Sequence, residues 1–237
     1  MWLYVRWRRL GPAYCSGPYV LSRRIKEDRF RLKDIPQPYP VFFGVKLHII
    51  VTTTRHVNPR VRSLANELAH TLPDALRINR GKSNISDLAE KARAYNAKTV
   101  LIVGKGLRGN PGRLVFLRIM EREYFFYPLI VSLAGVKLAR ELKVRPSPVS
   151  TESFSIVTLE DFSDNTKELA LALSEALQVN YTETSNLKSL AHIFNRVLFV
   201  EETNFEKSPF FIKFVKPDGK NDGPLLKVKR VIYKPPL

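Results

Sequence analysis

The segment VLIVGKGLRGNPGRLVFLRI, residues 100–119, carries Gly104, Gly106 and Gly109 in a G-x-G-x-x-G spacing directly after an apolar run. In a dinucleotide-binding unit such glycines let a helix N-terminus close on a pyrophosphate. That chemistry requires a helix to begin inside the glycine run. Here Pro111 and Gly112 come next, and then RLVFLRI, a β-rich stretch without a helical stripe. A phosphate loop ending in Gly-Lys-Ser/Thr is also missing. The segment therefore predicts a hairpin-like loop bearing Lys105, Arg108 and Arg113, and a nucleotide-dependent enzyme is the weakest functional reading.

A second stretch points to a different use of phosphate. In TTTRHVNPRVRS, Asn58 is placed as a helix cap and Pro59 as the first helical residue. Arg60 and Arg62 then fall in the first turn, with Thr53, Thr54 and Arg55 just ahead of it. The first turn exposes N–H groups and the positive dipole end, where acidic residues are favoured by about 0.3 to 1 kcal/mol. Arginines there suit an external anion. A later segment, LEDFSDNTKE, begins a matching helix with Glu160, Asp161 and Asp164, the arrangement the dipole prefers. Upstream of the next helix, RINRGKSN adds Arg77, Arg80 and Lys82, of which Arg80 and Lys82 extend the expected phosphate-tracking surface.

Other chemistry is thin. Cys15 is the sole cysteine, which excludes an internal disulfide and a cysteine-rich metal site. No H-E-x-x-H or paired C-x-x-C spacing occurs, and no nucleophile has an evident base beside it. His56 lies in the basic loop, whereas His192 is expected to be packed in an apolar helical stretch. Neither catalysis nor a cofactor or metal is expected.

Net charge is +17, and it is regional. Residues 1–40 carry +6, 41–150 carry +12, 151–206 carry −7 and 207–237 carry +6. A basic balance of this size points to nucleic acid or an anionic surface as partner. The acidic segment invites a basic protein partner, with Glu160, Asp161 and Asp164 as its docking residues. No apolar run approaches the roughly 18–20 residues of a membrane span, and Arg6, Arg8 and Arg9 interrupt the start of the chain. A cytoplasmic monomer without membrane association is expected.

These residues need elements to position them. LHIIVTT and TVLIV read as buried strands, and Val61, Leu64, Ala65, Leu68 and Leu72 form a helical stripe. In SNISDLAEKARAYNA, Asn84 and Asp87 form a capping pair ahead of a second helix. Strands interleaved with helices predict an α/β layer architecture with a mixed sheet. FSIVTLEDFSDNTKELALALSEAL then retraces the first strand and helix: a shift of 105 aligns Leu64 with Leu169, Leu68 with Leu173 and Leu72 with Leu177. A shift of 102 aligns Ile85 with Leu187 and Leu88 with Leu190, so strand, helix, loop and helix are expected twice. The tail, SPFFIKFVKPDGKNDGPLLKVKRVIYK, reads as two strands around a Pro-Asp-Gly turn, with Lys213, Lys216, Lys227, Lys229 and Arg230 among its apolar residues.

IIVTTTRHVNPRVRSLANELAHTLP, RINRGKSNISDLAEKA, VLIVGKGLRGNPGRLVFLRI and FFIKFVKPDG, in this order and spacing, resemble the Brix domain of ribosome-biogenesis proteins. The resemblance is strongest to the short archaeal form similar to the pre-rRNA processing branch. It implies two similar α/β halves, each like the anticodon-binding domain of class II aminoacyl-tRNA synthetases. It also implies rRNA or pre-rRNA binding without catalysis. The family's Thr-Ser-Arg segment corresponds to Thr53-Thr54-Arg55, its Asn-Arg-Gly element to Asn79-Arg80-Gly81 and its glycine loop to Arg108-Gly109-Asn110-Pro111. On this reading residues 1–45 form a basic extension, 46–237 the domain, and the halves divide near residue 150. A tRNA-binding accessory module is the alternative.

Overall fold

The computed structural model describes residues 47–234, so the basic extension lies outside the described residues. Short runs of branched and aromatic side chains set up a ten-stranded sheet. The first set is β1 (Ile49–Thr53), β2 (Ala75–Arg77), β3 (Thr99–Lys105), β4 (Pro111–Ile119) and β5 (Tyr124–Lys137). The second is β6 (Phe154–Leu159), β7 (Asn180–Thr184), β8 (Arg196–Glu202), β9 (Phe210–Val215) and β10 (Asn221–Ile232). The spatial order β2-β1-β3-β4-β5-β10-β9-β8-β6-β7 reads as one five-strand unit followed by its mirror in sequence order. In each set the first three strands are parallel and the rest antiparallel, and the sets join through the antiparallel β5–β10 pair.

Helix α1 (Pro59–Thr71) follows β1 and α3 (Asp164–Leu177) follows β6, with α2 (Ile85–Ala94) between β2 and β3. The 105-residue shift holds in space: Ile49 and Phe154 begin equivalent strands, Pro59 and Asp164 equivalent helices, Ala75 and Asn180 equivalent strands. The apolar stripes of α1 and α3 bury Leu64, Leu68, Leu169 and Leu173 against one sheet face in a single core fed by both sets. On the other face α2 covers Ile50, Val100, Ile102 and Leu117.

The expected second helix of the second set does not form. Eleven residues, 185–195, separate β7 from β8, against twenty-one, 78–98, between β2 and β3. Asn84 and Asp87 close a reciprocal capping box on α2. Asn186 instead accepts from the Lys188 N–H two residues on, and the chain makes only the 3-10 turn Leu187–Leu190. Leu190 and Phe194 still cover β6 and β8, but His192 is exposed and not packed, a correction to the helical reading.

The two long helices are tied down from the opposite set. Thr99, first residue of β3, donates its hydroxyl to the Ala176 carbonyl near the end of α3, at 3.1 Å. Arg196, first residue of β8, donates to the Thr71 carbonyl at the end of α1, at 3.0 Å. Thr71 and Ala176 are themselves equivalent under the 105 shift. His48 Nε2 reaches the Leu177 and Gln178 carbonyls at 3.0 and 2.9 Å, and so adds a second closure on α3.

Candidate nucleic-acid interface

The carboxyl ends of β1, β2 and β3 point the same way, so the three segments that follow them meet at one edge of the sheet, where open α/β sheets bind ligands. The first contains Arg55 and leads into α1. The second contains Arg80 and Lys82 and leads into α2. The third is the glycine loop. Arg55 Nη2 donates to the Lys82 carbonyl at 2.8 Å, and Arg80 Nε donates to the Ser83 carbonyl at 3.3 Å. Two guanidiniums thus converge on one turn. Burial, followed by the charge of Arg55, lowers the Arg80 pKa, and burial followed by Arg62 does the same to Arg77. Like charges are crowded here.

The glycines turn out to be packing residues. A Cβ on Gly106 would sit 2.6 Å from the Gly112 Cα, and one on Gly112 would sit 2.3 Å from the Gly106 Cα. The Gly106 N–H closes the loop on the Asn110 carbonyl at 2.7 Å. Gly109 has φ +77°, and a Cβ there would overlap the Asn58 carboxamide, 1.8 Å from its Nδ2. Asn58 is the N-cap residue of α1, yet its side chain makes no cap hydrogen bond. The loop is thereby seated against the start of α1, which brings Arg108 to the same edge as Arg55 and Arg62. No helix begins in the loop: a tight turn at Leu107–Gly109 runs directly into β4.

Some expected contacts fall elsewhere. Thr53 is only 4% exposed within β1, so it positions the loop and offers no surface. Arg60 is drawn away to Glu141, with Nη1 2.8 Å from Oε1, and it also donates to the Val136 carbonyl at 3.1 Å. Its guanidinium is therefore committed within the chain. Thr54 is half-buried, while Arg62, Lys82, Lys105 and Arg108 are exposed. In the tail, Lys216 sits in the turn beside β8 and Asp222, at the Thr71 end of α1, a helix length of about 20 Å from Asn58. That separates it from the basic edge. Arg113 and Arg230 both pair with Ser132 and share the sheet face opposite the long helices. Lys227 and Lys213 continue on that face, where both ammonium groups lie 5.7 Å from the Phe211 ring centroid and Lys213 is ion-paired with Glu201. Lys229 is an exposed residue at the β10 bulge.

The second set provides a comparison at equivalent positions. Where the first has Arg55 the second has Glu160, and where β3 ends in Lys105, β8 ends in Glu202. Glu202 Oε2 accepts from the Ser163 N–H at 3.1 Å, from the Ser163 hydroxyl and from the Thr166 hydroxyl at 3.0 Å. It closes the start of α3 with the chain's own carboxylate. The first turn of α1 has neither an acidic residue nor a side-chain cap. Glu201–Glu202 had no visible role in the sequence, because a carboxylate 39 residues from Ser163 is adjacent only once β8 lies beside β6. Glu160, Asp161 and Asp164 are exposed at this acidic end, and none is in an ion pair among the described residues.

The Ser163 hydroxyl, then its N–H, holds the Glu202 carboxyl below the usual glutamate range. A depressed carboxyl contributes stability above its unfolded pKa, about 4.3, and loses it as pH falls through the folded value. Glu202→Gln is therefore expected to lower the melting temperature near neutral pH and to leave it almost unchanged on the acid side of that range. Parallel melting curves between about pH 3 and pH 7 check this; a constant difference across the series would exclude the role.

Comparison with known proteins agrees with this architecture. A probable ribosomal biogenesis protein from Aeropyrum pernix has a solved structure matching 78% of this chain and 96% of its own, with TM-score 0.62 and 25% identity. The crystal structure of Mil, an archaeal Imp4-like protein, matches in fold with TM-score 0.54 at 19% identity, over 78% of this chain and 99% of its own. No family model matches the sequence. A probable Brix domain-containing ribosomal biogenesis protein of Methanococcus maripaludis is 30% identical over 183 residues, spanning 77% of this chain and 96% of the relative. The chain belongs to the Brix domain family of ribosomal biogenesis proteins. Among the described residues of this Brix protein, no helix is long and apolar enough to cross a membrane, and no three or more His, Cys, Asp or Glu side chains cluster as metal ligands.

Proposed function

We propose that this Brix protein is a non-catalytic factor of ribosome biogenesis that grips rRNA phosphates at the carboxyl edge of β1–β3. The observation that carries the reading is the difference between two equivalent helix starts. One is closed by Glu202; the other faces Arg62, Lys105 and Arg108 with no internal anion in its first turn. Pro59 has no N–H, and the Val61 and Arg62 N–H groups are bonded to the Asn58 carbonyl, so a phosphate there would be held chiefly by the guanidiniums it neutralises, with the Arg60 N–H as backbone donor. Arg113 and Arg230 would carry the backbone onto the open sheet face. The acidic end at Glu160, Asp161 and Asp164 is the docking surface for a basic ribosomal or assembly protein.

Binding of rRNA fragments across a salt series tests this with Arg62→Glu/Arg108→Glu, a pair chosen because neither guanidinium is in an ion pair among the described residues. The expected result is a steep fall of log affinity with log salt that becomes shallower by about 0.7 to 0.9 for each contact removed. An unchanged slope would move the interface off this edge. Because each half is read as similar to a class II anticodon-binding domain, tRNA competes in the same assay. Equal displacement by tRNA would favour an accessory tRNA-binding role. Reversal of Glu160, Asp161 and Asp164 should leave RNA affinity intact while weakening a basic protein partner.

A further inference from the structure

Leu107 is 90% exposed at the tip of the glycine loop and belongs to none of the hydrophobic clusters of the described residues. An isolated exposed leucine is ordinary on a protein surface. What sets this one apart is the loop beneath it. The facing Gly106 and Gly112 backbones leave no room for a side chain between them, Gly109 is seated on Asn58, and the Gly106 N–H is bonded to Asn110. Arg108, the next residue, sits in the left-handed region at φ 53°, ψ 27°, a conformation that non-glycine residues adopt rarely. The loop has no slack with which to fold Leu107 back onto the protein. Its loop is cationic: Lys105, Arg108 and Arg113 are all exposed. The topologically equivalent tip, between β8 and β9, also presents an apolar residue, Phe205, 65% exposed. That ring is supported, however, stacked on Phe211 at 6.3 Å and 19°. Leu107 has no such support among the described residues.

We propose that Leu107 is a wedge that enters a base step where an RNA helix is interrupted by an unpaired nucleotide, while Arg108 and Lys105 hold the flanking phosphates. This rests on the RNA reading above and deepens it by naming the feature recognised. Apolar side chains carried on basic scaffolds act in this way in nucleic-acid complexes, where they partly unstack neighbouring bases. An unpaired nucleotide lowers the cost of that opening. The positive loop makes a nucleic acid the fitting occupant.

The test uses the full chain and two RNA duplexes, one fully paired and one with a single bulged 2-aminopurine. Wild type is expected to bind the bulged duplex more tightly and to change the 2-aminopurine fluorescence. Leu107→Ala is expected to lose about tenfold on the bulged duplex, the equivalent of burying one leucine side chain. Its affinity for the paired duplex and its salt slope should be unchanged, because no phosphate contact is removed. Equal affinities of wild type and Leu107→Ala for the bulged duplex would overturn the wedge, as would equal losses on both duplexes. Such results would leave phosphate binding standing. Failure of wild type to bind either RNA would overturn the wedge and the RNA reading together. An exposed side chain is the one changed, so folding is not at stake.

Discussion

Arg196→Met is expected to be the most damaging single substitution in the described part of the protein, costing about 3–5 kcal/mol of stability. Arg196 is 1% exposed and its partner Asp222 5% exposed. The guanidinium directs its planar array of donors to three groups from separate parts of the fold. Nε bonds Asp222 at 2.6 Å, Nη1 bonds the Thr71 carbonyl at 3.0 Å, and Nη2 bonds the Ser147 carbonyl at 2.8 Å and lies 2.5 Å from Asp222 Oδ2. One side chain thereby joins the end of α1, the connection between the two strand sets, and β10. Methionine would leave a buried carboxylate without its cation and two carbonyls without a donor. Arg196→Met/Asp222→Leu should recover part of the loss, since no unpaired charge then remains, but not the carbonyl bonds. Denaturant unfolding of the three proteins, with unchanged m-values, measures the order: wild type above the double variant, the double variant above Arg196→Met. If Arg196→Met unfolds at the wild-type midpoint, the ion pair is not a keystone.

The second large effect concerns the repeat itself. Two similar sets of elements suggest two units able to fold separately, yet neither 47–150 nor 151–234 is expected to do so. Each long helix is closed by the first residue of a strand in the other set, Thr99 on Ala176 and Arg196 on Thr71. Tyr127 of β5 donates to Glu175 of α3, and burial, then that carboxylate, pushes its phenol up to about 12. The β5–β10 pairing runs from Leu225 to Ile232, and one core is lined by leucines of both sets. A separated piece would expose half of that core and an unpaired central strand, a template for aggregation. Circular dichroism and heteronuclear NMR of each piece should report unfolded chains, and mixing them should restore dispersion. Cooperative melting of either piece alone would show that the shared core is dispensable.

Periodicity made the strands, the helix starts at Asn58 and Asn84 and the 105-residue repeat visible in the chain alone, because each is a local consequence of residue type. The basic and acidic ends were equally legible, since charge is a property of composition. The glycine run could be rejected as a nucleotide loop for the same reason: Pro111 and a β-rich segment forbid a helix there. The tertiary structure decided what lies next to what. Only the order of strands in the sheet puts Glu202 on Ser163, Arg196 on Thr71 and Asn58 against Gly109, pairs 39, 125 and 51 residues apart. It also withdrew Arg60 into an ion pair with Glu141 and buried Thr53, although both looked like phosphate contacts in the sequence. The second-set helix failed for want of ten residues between β7 and β8, a length whose meaning depends on where the two strands must end. Local preference therefore determined the elements and the sign of their charge, and long-range pairing determined which of those charges remain free to meet a ligand.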